Sequence, residues 1–317
     1  MTAYIAKRLI MIIPMFLGVT LLLYTGINLA PGGPEMIFIA ENLELGMVEQ
    51  IRHSLGLDRP FHIRYFLWLG ALLRGDMGRS LTGGGIPVAE LVGERIGATL
   101  MLTGPSLILS VLTALVLGVV SAVRQYSWTD KVLTGVAYIG MSFPIFWLGI
   151  MLILLFSILL KWFPVAGMTT YGNEGNIISR LSHLFLPVLT LSFVQVGRLM
   201  RFVRSSMLEV LNEEYVRTAR SKGLSGIRVL FKHALRNALI PVITIVGLNV
   251  RTLLAGAVLV ETIFAWPGLG RLALMSVNRR DYPVVMGVNV AVILLVLLAN
   301  LATDIAYSVA DPRIRYD

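Results

Sequence analysis

Long apolar segments separated by polar ones set the pattern of this 317-residue chain. Residues 9–30, 96–123, 132–160 and 282–303 contain no Asp, Glu, Lys or Arg. Each of these segments is long enough for the roughly 20 residues that a helix needs to cross the hydrocarbon core of a bilayer. The pattern therefore predicts four membrane-spanning helices.

Two further segments are apolar but each contains one ionisable side chain. Residues 181–197 are shorter and contain His183, yet a helix there can extend to Arg201, whose long side chain can reach the membrane surface. Residues 238–260 contain Arg251 near their middle, where a charge costs about 3 kcal/mol or more unless it faces protein or water. Both segments are predicted to span, which gives an all-helical membrane protein with six spans.

The basic residues predict which helix ends face the cytoplasm. Lys7 and Arg8 precede the first span, Arg313 and Arg315 follow the last, and many of the others lie within residues 198–236. Because Lys and Arg are enriched on the cytoplasmic side, both termini are predicted to be cytoplasmic. The net charge of +9 is then a topology feature rather than a nucleic-acid-binding surface.

Composition agrees with a membrane protein and excludes several kinds of chemistry. Hydrophobic residues make up 56% of the chain and charged residues 14%, against about 25% charged residues in an ordinary globular domain. The chain has no Cys, which excludes disulfides, thiolate metal ligands and a catalytic cysteine. Its four His residues lack the spacing of metal ligands, so no metal site is predicted.

The segment at 31–95 is predicted to lie outside the membrane on the extracytoplasmic side. Residues 44–55 and 62–73 have helical patterns, and Gly56 is placed to end the first helix. Glycines between 75 and 85 then predict a turn-rich return to the second span. A scaffold that packs on the helix ends is favoured over a docking surface for an external partner.

The segment at 198–237 is predicted to be a cytoplasmic loop with two helices. Residues 207–222 are rich in helix formers, Gly223 can end that helix, and Ser225 can cap a second helix at 227–239. A loop this long in a compact protein is usually functional. The side chains predicted to pair across neighbouring turns of the first helix are Glu213, Glu214, Arg217 and Arg220.

The sequence of this loop resembles a known family. Residues 214–225 read EYVRTARSKGLS and residues 233–241 read HALRNALIP, which is similar to the cytoplasmic loop of ABC-importer permeases of the dipeptide/oligopeptide (peptide/nickel) class. Further similar segments are YIAKR at 4–8, LGLDRP at 55–60, GDMGRS at 75–80, ETIFAWPGLG at 261–270, RDYP at 280–283 and DPR at 311–313.

The resemblance implies that the first loop helix is a coupling helix, which sits in a groove of a separate ATPase subunit. Ala219 and Gly223 match the importer pattern. Arg217 and Thr218 stand where the general motif has Glu-Ala, and the spacing to Pro241 is longer, as is usual within the peptide class. The residues that the resemblance assigns to ATPase coupling are Glu214, Tyr215, Arg217, Ala219, Lys222, Gly223 and Leu224.

The family also implies a complex: a second permease subunit, two ATP-binding subunits or domains, and an extracytoplasmic substrate-binding protein. The chain is then expected to be a single permease domain of the importer type I transmembrane fold in a bacterial or archaeal plasma membrane. No Gly-x-x-x-x-Gly-Lys-Ser/Thr phosphate-binding loop occurs in the sequence, so ATP and Mg are expected on the partners, with no cofactor and no catalytic residue here.

The expected substrate is a short peptide, with nickel chelates and glutathione as related alternatives. A secondary transporter driven by an ion gradient is an alternative of another class. Inverted repeats interrupted by Gly and Pro would favour it, and the sequence has no clear internal repeat.

Arg251 is the candidate substrate-path residue, together with Asn249. It lies about 20 Å along its helix from Ala238, too deep for its side chain to reach the inner surface easily. Neither Glu261 nor Asp304 is expected at the same depth. Arg251 is therefore predicted to face water or the partner permease, and a translocation pathway is favoured over pairing across the subunit interface.

Overall fold

Helices make up nearly all the regular structure in the computed structural model, which describes residues 2–29, 53, 56, 58–82, 84–173 and 175–310. Within these residues an isolated bridge pairs Arg79 with Pro87. Two stretches, Ile153–Leu159 and Val229–Leu235, are π-helical. The helices are α1 (Thr2–Leu29), α2 (Phe61–Leu73), α3 (Val88–Val123), α4 (Trp128–Ser142), α5 (Ile145–Leu159), α6 (Ile177–Leu211), α7 (Glu214–Ser221), α8 (Gly226–Ile263), α9 (Leu269–Asn278) and α10 (Tyr282–Ala310).

Five helices in the described part of the chain are long and apolar enough to cross a membrane. They overlap five of the predicted spans, but several extend well past the apolar segments. Helix α3 begins at Val88 because Glu90, Glu94 and Arg95 are good helix formers outside the apolar stretch. The candidate spans are Ile10–Leu29, Val88–Val123, Ile177–Leu211, Gly226–Ile263 and Tyr282–Ile305.

The predicted span at 132–160 is divided into two helices. Helices α4 and α5 are bent by 101° across a short break, so the described residues contain five candidate spans, or six if this pair is counted as one broken span. Phe143 has extended backbone angles (φ −80°, ψ 132°) because the ring of Pro144 disfavours a helical conformation in the residue before it. The Phe143 and Trp147 rings then stack with centroids 4.6 Å apart.

The predicted extracytoplasmic segment is described in part. Helix α2 confirms the helical pattern at 62–73, whereas the helix predicted at 44–55 lies outside the described residues except for His53. Gly75 and Gly78 have φ values of +85° and +82°, which only glycine adopts without strain, and they form the predicted turns.

The chain folds as two compact units. The first comprises Met1–Thr99 and Pro267–Leu297, and the second comprises Leu100–Trp266 and Leu298–Asp317. Helices α3 and α10 continue from one unit into the other, so the units do not follow one another along the sequence.

In the first unit the end of the turn-rich segment is tied to the start of α10 through Asp281. Its carboxylate accepts hydrogen bonds from Ser80 Oγ (2.6 Å), Thr82 N (3.1 Å) and Thr82 Oγ1 (2.8 Å). Burial raises the pKa of this carboxyl, but the hydrogen bonds more than offset burial and hold the pKa below its ordinary value. The same unit contains a core formed by Val88, Val92, Leu269, Val284, Val288 and Ala291.

In the second unit helices pack closely through small residues. A Cβ added to Gly118 would lie 2.7 Å from the Val203 side chain, and one added to Gly197 would lie 2.8 Å from the Ala137 carbonyl oxygen. Such small residues let the backbones of membrane helices approach each other. The buried residues of one core cluster are Ala122, Val203, Met207, Ala234, Ala238 and Val242.

Candidate functional site

The hairpin predicted at 198–237 is present, but its first helix is divided. Helix α6 ends at Leu211, and the chain turns through Glu213, whose backbone is extended (φ −67°, ψ 145°), before α7 begins at Glu214. The single helix predicted at 207–222 is therefore two helices. The final turns of α6, helix α7 and the first turns of α8 together are called the coupling hairpin below.

Gly223 ends α7 as the sequence predicted. Its φ is +75°, its N–H donates to the carbonyl oxygen of Arg220 (2.9 Å), and Leu224 N–H donates to the carbonyl oxygen of Ala219 (3.4 Å). These two bonds form a Schellman motif, which satisfies the last carbonyls of a helix and favours glycine. Nothing lies within 4 Å of a Cβ built on Gly223, so the space beside it is open in this chain.

One face of α7 is packed against the rest of the hairpin. Val216 is fully buried and Ala219 is 5% exposed, and both join Val229 of α8 in a small core. Half-buried Leu224 packs against this core as the residue after the Schellman glycine. Of the predicted coupling residues, Ala219 therefore packs within the hairpin itself, and Leu224 does so in part.

The other face of α7 is exposed and polar, with two arginines and one glutamate. Glu214 and Arg217 form one of the predicted ion pairs, with Arg217 Nη1 3.0 Å from Glu214 Oε1. Both side chains are largely exposed, so the pair contributes little to stability. The exposed charged residues of the coupling hairpin from α7 onward are Glu214, Arg217, Arg220, Lys222, Arg228, Lys232 and Arg236, and Ile227 and Phe231 are exposed among them.

Two features of this region were missed by sequence reasoning. The stretch Val229–Leu235 is π-helical, whereas an ordinary helix was predicted there, and π-helical turns are frequent at functional sites. Asp130 is buried and binds Arg204 of α6 just before the hairpin. The sequence feature that could have indicated an ordered Asp130 is its position in the first turn of α4, after the capping residue Ser127.

The structure separates the two predicted substrate-path residues. Arg251 lies on an exposed face of α8, whereas Asn249 is 6% exposed and donates a 2.9 Å hydrogen bond to the carbonyl oxygen of Ile245 in the same helix. Side chains two residues apart on a helix point in different directions. Among the described residues there is no group of three or more His, Asp or Glu residues that could hold a metal ion.

Comparison with known proteins identifies relatives over the whole chain. Residues 114–316 match the family described as binding-protein-dependent transport system inner membrane component, and residues 1–93 match the N-terminal component of the same type of system. The oligopeptide transport system permease protein AppB of Bacillus subtilis is 44% identical, with 100% of both chains covered. The dipeptide transport system permease protein DppB of Escherichia coli (strain K12) is 40% identical, covering 100% of this chain and 99% of that protein.

Solved structures give the same fold at lower identity. The membrane chain of the MetNI methionine ABC transporter in inward-facing conformations has a TM-score of 0.56 and 17% identity, covering 70% of this chain and 96% of its own. A chain from an amino acid ABC transporter has a TM-score of 0.52 and 14% identity, covering 69% and 93%. These structures confirm the predicted all-helical transmembrane fold of an ABC importer.

Proposed function

Because the chain belongs to the family of binding-protein-dependent transport system inner membrane components, it is a permease subunit of an ABC importer, and we propose that its solute is a short peptide. The full-length relatives support this substrate class, since they are named as oligopeptide, dipeptide and di/tripeptide permeases. The chain forms one half of the translocation path, and a second permease subunit forms the other half.

The coupling hairpin is the surface to which we assign the ATPase partner. The single observation that carries this assignment is the division of α7 into a buried apolar face and an exposed polar face with more basic than acidic side chains, because a helix packed on one side presents the other side rigidly. A partner groove with acidic side chains is complementary to Arg217, Arg220 and Lys222. ATP and Mg²⁺ bind to that partner, and this chain transmits the change of state.

The remaining partners and the orientation follow from the same proposal. A substrate-binding protein delivers the peptide on the extracytoplasmic side, and two ATP-binding subunits or domains face the coupling hairpins of the two permeases. The distribution of Lys and Arg supports cytoplasmic termini in a bacterial or archaeal plasma membrane.

Reconstitution tests this function. The permease is expressed with the second permease subunit and the ATP-binding subunits and placed in proteoliposomes with the binding protein, and uptake of radiolabelled dialanine and trialanine is measured. We expect uptake that requires both ATP and the binding protein. Uptake driven by a proton or sodium gradient without ATP would indicate a secondary transporter, and ATP-dependent uptake of a nickel chelate or glutathione but of neither peptide would replace the peptide assignment.

A further inference from the structure

Two kinds of exposed face occur on the long helices of the second unit. On α3 the exposed residues between 105 and 123 are apolar without exception, and Ile108, Leu112 and Val116 are 61%, 58% and 62% exposed. A face of this composition is suited to lipid, which offers no hydrogen-bond partners.

The exposed face of α8 has a different composition. It follows the helical repeat through Thr244, Leu248, Arg251, Thr252, Ala255, Leu259 and Thr262, which are called the polar stripe below. Three hydroxyls and a guanidinium lie among the apolar side chains of this stripe. Because a charged side chain facing lipid is costly, the polar stripe is not a lipid-facing surface.

The depth of Arg251 strengthens this conclusion. At 1.5 Å per residue, Arg251 lies about 18 Å or more from both ends of the helical stretch Arg236–Ile263. An arginine side chain cannot cover that distance to reach a membrane surface by extending along the helix. The guanidinium must therefore meet water or a polar partner within the membrane.

We propose that the polar stripe of α8 lines the path of the solute and that Arg251 binds the C-terminal carboxylate of the passing peptide. This inference rests on the proposed function and assigns one residue of specificity within it. The guanidinium presents parallel N–H donors that match the two oxygens of a carboxylate, and the neighbouring Thr252 hydroxyl offers a further donor. Asn249 has no part in this site, because its side chain is buried and bonded within its own helix.

A labelling experiment tests the position of the stripe. The chain contains no cysteine, so Thr252→Cys and Ala255→Cys place single thiols on the polar stripe, and Leu112→Cys and Val116→Cys place matched thiols on the apolar face of α3. In the assembled complex, a small water-soluble thiol reagent should label both stripe cysteines in at least one nucleotide state and neither of the α3 cysteines. If both stripe cysteines resist labelling in every nucleotide state, the stripe packs against the partner permease and the proposal is overturned.

A second experiment tests the carboxylate. Trialanine and trialanine amide are compared in two assays: uptake, and the peptide concentration that protects Thr252→Cys from labelling. The second assay also detects a peptide that binds but is not transported. Arg251→Gln should lower the uptake of trialanine, or raise its protecting concentration, by about tenfold or more, and should change the values for the amide much less. The reason is that only the free acid has a carboxylate that forms charge-assisted hydrogen bonds with Arg251. Arg251→Lys should be intermediate, since lysine keeps the charge without the paired donors.

The matched control is Arg198→Gln, which removes the charge of an exposed arginine on a different helix, α6, and should affect both peptides alike. Equal weakening of both peptides by Arg251→Gln would overturn the carboxylate role while the peptide importer stands. Failure of the wild-type complex to import or bind either peptide would defeat the proposed function and this inference with it.

Discussion

Arg204 donates two hydrogen bonds of 2.8 Å to Asp130, one from Nε to Oδ1 and one from Nη2 to Oδ2. The carboxylate also accepts hydrogen bonds from Ser121 Oγ of α3 and from the backbone N–H of Tyr126 (3.0 Å), which has a left-handed φ of +64°. The turn between α3 and α4 is thus fixed to α6, the helix that leads directly into the coupling hairpin. Motion of the hairpin should therefore be transmitted to α4 as well as along α6.

Removing the charge of Asp130 should destabilise the second unit. Asp130→Asn leaves Arg204 without its carboxylate, and breaking a buried ion pair costs about 3–5 kcal/mol, reduced here to about 2 kcal/mol because the Arg204 side chain is 24% exposed. Thermal unfolding of the detergent-purified chain should show the loss. The control Glu214→Gln removes the exposed pair with Arg217 and should change stability by about 0.5 kcal/mol or less. Equal effects of the two variants would contradict the assignment of Asp130 as a structural anchor.

Substitution of Gly223 should uncouple the importer without unfolding it. Gly223→Asn keeps much of the left-handed conformation and should retain transport, whereas Gly223→Arg adds about 1 kcal/mol of backbone strain and a bulky group where the ATPase is proposed to dock. The matched control is Gly172→Arg, because Gly172 has a φ of +79° and the same open space around its Cβ. Uptake and ATPase activity are measured for each variant. If Gly172→Arg impairs uptake as much as Gly223→Arg, backbone strain rather than docking is responsible.

Single cysteines should report the predicted topology. Ser225 and Asn173 are exposed, so Ser225→Cys should be protected in intact cells from an impermeant thiol reagent and Asn173→Cys should be labelled. Ser206, also predicted to be cytoplasmic, is unsuitable because it is 9% exposed and donates a hydrogen bond to the carbonyl oxygen of Ala238. Permeabilised cells provide the control, in which both cysteines should react. Labelling of Ser225→Cys in intact cells would reverse the orientation.

The stabilising effect of Asp281 should depend on pH. Since its pKa is lower in the folded protein than in the unfolded chain, its contribution is fully present above the ordinary pKa of about 3.9 and is lost as pH falls through the lowered value. Asp281→Asn should therefore be less stable than the wild type at pH 7, with the difference shrinking below about pH 4. Unfolding midpoints measured from pH 7 to pH 3 give this difference. A difference that stays constant over that range would exclude the charge as its cause.

The close approach at Gly247 should tolerate no added methyl group. A Cβ at this position would lie 2.0 Å from Thr303 Cγ2, whereas nothing lies within 4 Å of a Cβ built on Gly104. Gly247→Ala should destabilise the protein by about 1–3 kcal/mol through overpacking, while Gly104→Ala should be neutral or slightly stabilising because alanine favours helix. Thermal unfolding of both variants measures the contrast. Thr303→Ser in the Gly247→Ala background should recover part of the loss, since it removes the clashing methyl group.

The elements that depend only on neighbouring residues in the chain could be predicted from the sequence. Uncharged segments long enough to cross a bilayer located α1 and α10, and the glycine after a run of helix formers located the end of α7 at Gly223. The pairing of Asp130 with Arg204 was not accessible in this way, because it joins residues that are distant along the chain and each has polar alternatives. The π-helical turns have no simple residue pattern, and the inward orientation of Ala219 depends on Val229 folding back against it.

The break before Pro144 has a consequence for biogenesis. Helix α4 has 15 residues and α5 is equally long, so each extends about 22 Å, less than the roughly 30 Å of the hydrocarbon core. Whether the pair crosses as a broken span or returns as a re-entrant loop, backbone without helical bonding lies at membrane depth and needs protein or water around it. Residues 142–144 are exposed in the chain by itself, so a copy inserted alone would present this backbone to lipid. The break should therefore make the chain less stable in the membrane before assembly than after it.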